Sequence, residues 1–186
     1  MTPDSFETSP DEPENVLLPL FGQLAWLVKR GHGSFLTIEF GSPHLVVREP
    51  IAAPPDREPL ARKMLARRRV FIFGDWHFWV EHSDWQLSVR SDTVTSEDMD
   101  RARVDECLKE LDGQRLLSVK PGDTPHSVLL EFDLGASLRI CPASYASDED
   151  AQWSLYVMDG DILSYRTDGR LDREAPSGDP PGQPSG

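Results

Sequence analysis

The chain has 186 residues and a formal net charge of −13, with 38% hydrophobic and 27% charged residues. A chain of this length buries a substantial core without needing disulfides or metal ions to hold it together. Its negative charge repels nucleic acid and anionic membranes, so the composition disfavours both and favours a basic protein partner. Solubility alone is the alternative explanation of the charge.

The expected cellular setting follows from three features of the sequence. Met1–Glu14 carries five carboxylates and no basic residue, unlike a secretory signal. No apolar run approaches the roughly 18 residues of a membrane-spanning helix. Cys107 and Cys141 lie far apart and match neither a disulfide framework nor a metal-binding pattern. We therefore expect a reduced, cytoplasmic protein that does not bind membranes.

Short motifs recur in the same order in the two halves of the chain. Self-similarity that keeps its order indicates an internal duplication. The matched pairs are Leu20–Gln23 with Leu111–Gln114, Glu39–Phe40 with Glu131–Phe132, Leu45–Val47 with Leu138–Ile140, and Trp76–Val80 with Trp153–Val157.

Alternation of apolar and polar side chains predicts that the matched segments are β-strands. Leu36, Ile38 and Phe40 share one face of such a strand. Asp159–Gly160 is a strong tight-turn sequence, so we expect a β-hairpin over Trp153–Arg166.

Two helices are predicted. The first spans Ser96–Leu111, and its apolar stripe consists of Val104, Cys107, Leu108 and Leu111. A shorter helix is predicted within Pro59–Arg69. We therefore expect an α+β fold, mainly β, in which two internally duplicated antiparallel units are joined by a helix. The expected divisions are a disordered acidic N-terminus (1–15), a first β-rich unit (16–94) with a basic insertion (50–69), a connecting helix (95–110), a second β-rich unit (111–171) and a disordered tail (172–186).

Two aromatic side chains suggest a partner-binding surface. Trp79 and Tyr156 occupy matched positions on strand faces whose other residues, such as Glu81, are polar. Aromatic residues of this kind either contact a partner or pack one unit against the other, and both interpretations remain open. The predicted partner-binding residues are Trp79, Tyr156, Glu81, Asp84, Arg67 and Arg68.

The basic insertion also has two interpretations. Its cations, which include Arg67 and Arg68, either form a local anion-binding surface or pair with the protein's own acidic surface. The candidate internal partners on and near the connecting helix are Asp98, Asp105, Glu106 and Glu110.

Catalytic signatures are missing from the sequence. It contains no phosphate-binding glycine loop, no nucleophile elbow and no His-Glu-x-x-His motif. His77 and His82 face opposite sides of a strand, so we expect no metal site there and no cofactor. Glu39 and Glu131 occupy equivalent places in the two halves, and they form the alternative site for a small ligand or a reaction between the units.

The segment Gly74–Trp85 and the motif Leu111–Gln114 resemble small bacterial β-rich domains, some of which are similar to immunity proteins of toxin systems. The resemblance implies no catalytic residues. Together with the acidity, it implies a non-enzymatic binding protein that inhibits a basic bacterial toxin. The alternative is a small-ligand-binding or regulatory module, and the oligomeric state is left open.

Overall fold

The computed structural model describes residues 11–175 except 53 and 55, and these residues form three antiparallel sheets. The strands are β1 Ala25–Arg30, β2 Leu36–Phe40, β3 His44–Arg48, β4 Arg69–Phe73, β5 Trp76–Val80, β6 Ser83–Val89, β7 Asp92–Thr95, β8 Leu116–Pro121, β9 Val128–Phe132, β10 Ser137–Pro142, β11 Ala151–Val157, β12 Ile162–Arg166 and β13 Leu171–Glu174. The mainly β character predicted from the sequence is confirmed.

Three α-helices accompany the strands: α1 Pro13–Leu17, α2 Pro59–Leu65 and α3 Arg101–Leu111. Helix α3 begins five residues later than predicted because the Asp98 side chain accepts a hydrogen bond from the Thr95 backbone and holds a turn there. Asp100 then caps the helix by accepting from the Arg103 amide. The predicted apolar stripe of α3 is buried against β1, β6 and β7.

The two large sheets share one hydrophobic core. Their strand orders are β1-β2-β5-β11-β12-β13 and β7-β6-β10-β9-β8. The predicted face of Leu36, Ile38 and Phe40 is fully buried, and Trp85 and Trp153 are the largest buried side chains. These residues belong to a single cluster that draws on both sheets. The fold is therefore stabilised chiefly by apolar contacts between the sheets.

The chain crosses between the large sheets twice, from β5 to β6 and from β10 to β11. As a result, strands from both halves meet in the six-stranded sheet, where β5 pairs with β11. The predicted hairpin at Asp159–Gly160 is present between β11 and β12, with Asp159 at a φ of +55°. Trp76–Val80 and Trp153–Val157, which are matched in sequence, are neighbours in one sheet.

An arm extends from the six-stranded sheet, and we define it as residues His44–Phe73. The β2–β5 ladder ends at the Phe40–Trp76 pair and resumes, after a bend, at the His44–Phe73 pair of β3 and β4. Gly74 lies in this bend, where a Cβ atom would collide with the Phe40 carbonyl oxygen. The arm extends beyond the predicted insertion, and helix α2 occupies its distal part.

The ends of the described chain are more ordered than the composition predicts. Helix α1 begins at Pro13, within the segment expected to be disordered, and β13 extends to Glu174. Residues 1–10 and 176–186 lie outside the described residues, so the disorder predicted for them stays a prediction. Among the described helices, none has the length and apolar character needed to cross a lipid bilayer.

Candidate functional site

Five aromatic rings form a cluster on the face of the six-stranded sheet that points away from the core. His77 and Trp79 of β5 alternate with core residues, and Tyr156 of β11 lies opposite His77 in the ladder. The Trp79 and Tyr156 ring centroids are 6.1 Å apart, and the His77 and Tyr156 centroids 5.7 Å. The rings of Phe35 and Phe73 complete the aromatic cluster through edge contacts with Trp79 and His77.

A buried acid–imidazole pair lies within this cluster. His77 Nδ1 and Glu39 Oε1 are hydrogen-bonded at 2.6 Å, and the Gly74 amide donates to Glu39 Oε2 at 2.8 Å. The exposed fractions of Glu39 and His77 are only 3% and 6%. Two donors satisfy the carboxylate where water does not reach it, which is the condition for burying such a group. Because Gly74 lies at the base of the arm, the pair also fixes the bend between β4 and β5.

Two nitrogen atoms in the cluster lack a hydrogen-bond partner within the described residues. They are His77 Nε2 and Trp79 Nε1, and both are buried. Unpaired buried polar atoms destabilise a fold by about 1–3 kcal/mol unless water or a ligand contacts them. The pair could therefore hydrogen-bond a small polar molecule, with Trp79 Nε1 as the donor and His77 Nε2 as the second contact.

A second carboxylate borders the cluster. Glu81 Oε1 accepts from Ser154 Oγ at 3.0 Å, and Ser154 Oγ lies 2.9 Å from Ser164 Oγ. Burial raises the pKa of Glu81, and the Ser154 hydrogen bond partly opposes this shift. Burial, with a smaller effect of the Glu81 charge, raises the pKa of Tyr156 to about 12. The tyrosine hydroxyl therefore stays protonated at neutral pH.

The structure brings together only some of the predicted site residues. Trp79, Tyr156 and Glu81 lie in or beside the aromatic cluster, together with Glu39. Asp84 is on β6 of the other large sheet, where it accepts from Ser96 Oγ at 3.5 Å.

The other two carboxylates of the predicted sites have separate environments. Glu131, on β9 of the five-stranded sheet, accepts from Ser118 and Lys120 at 2.7 and 2.6 Å. The Lys120 hydrogen bond, followed by the Ser118 bond, lowers the pKa of Glu131. Glu39 and Glu131 share no hydrogen-bond partner, and no group of three or more His, Cys, Asp or Glu residues within the described segments could hold a metal ion.

The arm carries an exposed apolar surface that sequence reasoning missed. Leu45 pairs with Ile72 and Val47 with Val70 across β3 and β4, so the four side chains share one face. Their exposed fractions are 71%, 48%, 50% and 59% in that order. We call these four residues the apolar arm face. The run Val70–Phe73 could have indicated this surface, because a strand with apolar residues at every position needs contacts on both of its faces.

The opposite face of the arm is occupied by the protein itself. The Phe71 and Phe73 rings stack at 6.1 Å, and the Arg69 guanidinium lies 4.8 Å from the Phe71 centroid. Phe73 is buried and its ring lies 5.6 Å from that of His77. The arm is therefore anchored to the aromatic cluster through one face, and its other face is left exposed.

The distal part of the arm carries basic residues. Arg68 forms an ion pair with Glu49 at 2.8 Å. Four further cations form no ion pair with any described residue: Arg57, Arg62, Lys63 and Arg67. We call these four residues the tip cations. Two of the four internal partners considered for them are engaged elsewhere, since Asp98 contacts Arg103 and Glu110 contacts Arg90.

An open cavity of about 460 Å³ lies beside α2 in the arm. Its lining combines apolar side chains with two of the tip cations: Ile51, Ala52, Pro59, Arg62, Lys63 and Ala66. Such a lining suits an apolar group that carries a negative charge nearby.

Comparison with known proteins identifies no relative. No protein-family model matches the sequence, and no curated protein or solved structure matches it either.

Proposed function

We propose that the protein is a non-enzymatic binding protein and that the apolar arm face is its contact with a partner protein. The observation that carries the proposal is the pairing of Leu45 with Ile72 and of Val47 with Val70 on one exposed face. Contiguous apolar surface of this kind is characteristic of interaction sites, whereas scattered exposed residues are not.

The construction of the arm supports the same conclusion. A two-stranded ribbon is marginally stable alone and normally buries its apolar face against another layer. In the arm, only the face of Phe71 and Phe73 is covered by the protein. Covering the apolar arm face would therefore complete a packed layer, and a partner would supply what the chain does not.

We further infer that the two halves are copies of one unit. The support comes from buried Trp85, Leu87 and Val89 on β6, whose spacing is repeated on β11 by Trp153, Leu155 and Val157. In each half, three strands of one sheet precede a crossing to the other sheet. This equivalence matches β5 with β10 and β6 with β11. It differs by one strand from the sequence match of Trp76 with Trp153, which would equate β5 with β11.

Under this equivalence the arm is specific to the first half. It lies between β2 and β5, whereas only residues 133–136 separate β9 and β10. A duplicated scaffold with one added element supports the view that the added element carries the distinct function. The scaffold then supplies stability and holds the arm.

The resemblance to immunity proteins suggests a specific form of the proposal, namely inhibition of a basic bacterial toxin. The formal charge of −13 supports it, because an acidic body attracts a basic partner at long range. The test is an inhibition assay with the purified product of any toxin gene that adjoins this one. Stoichiometric inhibition by the wild type is expected, and a toxin that stays active with excess protein would refute this form alone.

The general proposal is tested by affinity capture from native lysate with three baits. The first is the wild type, and the second carries Leu45→Thr and Ile72→Thr, which keep strand propensity while removing apolar surface. The third carries Leu117→Thr and Leu134→Thr, two exposed leucines of the body. We expect the wild type and the third bait to retain the same protein and the second to lose it. Equal retention by all three would refute the proposal.

A further inference from the structure

We propose, on the basis of the proposed function, that the arm receives an extended segment of the partner in which apolar residues at alternate positions are followed by a run of carboxylates. The apolar arm face would contact the apolar side chains, and the tip cations would contact the carboxylates. This inference names the chemistry of the partner at that site, which the exposed apolar surface alone does not determine.

The first argument is the local charge. Residues 57–69 contain six cations and one carboxylate in a chain whose formal charge is −13. Arg68 is paired with Glu49 and Arg69 lies over Phe71, whereas the tip cations have no carboxylate partner among the described residues. On the body, Arg139 and Arg166 are paired, although Lys29 and Lys109 form no ion pair with a described residue. The arm is therefore distinguished by the concentration of positive charge without a carboxylate partner within a short stretch of chain.

The second argument is the geometry of the apolar arm face. The Leu45–Ile72 and Val47–Val70 pairs form two rungs on a β-ribbon, separated by two residues along each strand. Two residues of a strand span about 6.6 Å, and a partner strand places its side chains on one face with that same repeat. An extended segment with apolar residues at alternate positions therefore matches both rungs.

The third argument is the cavity at the tip. Arg62 and Lys63 line it together with the side chains of Ile51 and Pro59. A segment that continues from the apolar arm face towards α2 meets apolar surface and positive charge together. The cavity therefore offers apolar contacts and positive charge to the part of the segment that lies beyond β3 and β4.

Other occupants fit these observations less well. The arm of a second copy would bring six more cations against the first six, which is unfavourable. An anionic membrane would attract the tip but repel the acidic body. A protein segment contacts only the arm and avoids this repulsion, so we commit to that occupant.

The test uses two synthetic peptides of equal length that share a segment in which Val alternates with Thr, followed by four Glu residues in one peptide and four Lys residues in the other. Fluorescence anisotropy measures their binding to the full chain. We expect the Glu peptide to bind at least about tenfold more tightly than the Lys peptide and to weaken with added salt. A preference for the Lys peptide, equal binding, or no binding of either peptide at about 1 mM would overturn the inference.

A charge-matched pair of variants locates the contact. Arg62→Glu with Lys63→Glu should weaken the Glu peptide by about tenfold. Lys29→Glu with Lys109→Glu changes the net charge equally on the body and should leave affinity within about twofold, since distant exposed charges are screened. Equal losses in the two double variants would overturn the inference, because only net charge would then matter.

The remaining outcomes separate the inference from the proposed function. If the wild type binds both peptides equally and Leu45→Thr with Ile72→Thr abolishes both, the arm face binds but partner charge is irrelevant, and only the inference fails. If that variant binds the Glu peptide normally while the tip reversal does not, the proposed contact face fails. If the arm binds phosphatidylserine vesicles but neither peptide, the occupant is an anionic membrane and the inference fails. If sedimentation shows dimers that depend on the arm, the occupant is a second copy and the inference fails as well.

Discussion

The body and the arm of this protein use the same residue types in opposite ways. In the body, the large apolar side chains of both large sheets meet in one core, and basic residues such as Arg139 and Arg166 are paired with acids. In the arm, four branched apolar side chains face outward and four cations have no acidic partner among the described residues. The contrast shows that the residues that stabilise the fold and the exposed residues proposed for recognition lie in different parts of the chain.

The junction between the two regions explains how they are connected. Glu39 and His77 lie in the body but hold Gly74 and Phe73 at the base of the arm. Asp75 performs a similar task at the surface, where it contacts His44 and the Ser42 amide. One buried and one exposed acid–histidine pair therefore fix the direction of the arm.

The largest expected difference concerns apolar side chains in the two regions. Trp153→Ala removes a fully buried ring and should lower the free energy of unfolding by about 3–5 kcal/mol. Leu45→Ala in the arm should change it by no more than about 0.5 kcal/mol because the side chain is already exposed. Urea denaturation measures both. Similar losses in the two variants would erase the distinction between body and arm.

The next comparison uses the two acid–histidine pairs. His77→Ala leaves the buried Glu39 carboxylate without its main partner and should destabilise the fold by about 3 kcal/mol. His44→Ala disrupts a partly exposed pair and should cost less than about 1 kcal/mol. Thermal unfolding of the two variants provides the measurement. A larger loss for His44→Ala would show that the arm base, not the buried pair, holds the junction.

A smaller effect concerns acid titration at the base of the arm. The Ser42 amide hydrogen bond, followed by the His44 contact, lowers the pKa of Asp75. Its stabilising contribution is present above the ordinary carboxyl pKa and is lost as pH falls through the lowered value. Asp75→Asn should therefore be less stable than the wild type at pH 7, with a deficit that shrinks in acid. A deficit that does not depend on pH would contradict the assignment.

The smallest effect has the opposite sign and belongs to the body. Burial raises the pKa of Glu81, so its protonated form favours the fold, and this contribution is lost as pH rises through the raised value. Glu81→Gln keeps an oxygen for Ser154 and removes the charge. It should be slightly more stable than the wild type at pH 7, and the gain should vanish below about pH 4. A loss of stability at pH 7 would contradict this account.

Local sequence patterns predicted the local structure well. Alternation identified the buried face of Leu36, Ile38 and Phe40, and the Asp159–Gly160 turn identified the hairpin. The apolar stripe of α3 was predicted for the same reason, since periodicity records which side of an element meets the core. These features depend on residues close together in the chain.

Long-range pairing escaped prediction for a physical reason. Alternation assigns the faces of a strand but does not specify its neighbours, so the β5–β11 pairing was not foreseen. The Glu39–His77 contact joins residues 38 positions apart and depends on the β2–β5 register. The exposure of the arm depends on the absence of a third layer over β3 and β4 within the described chain, and no local pattern records that. Trp79 and Tyr156 were identified as a pair, but their packing required the three-dimensional structure.

The central claim is that the apolar arm face serves a partner and not the fold. The most direct measurement is the free energy of unfolding of the variant with Leu45→Thr and Ile72→Thr, determined at low and high protein concentration. The account predicts values within about 0.5 kcal/mol of the wild type at both concentrations, because exposed side chains contribute little to stability. A loss of about 2 kcal/mol or more would contradict it, since such a loss requires that the face is already buried, within the chain or against a second copy.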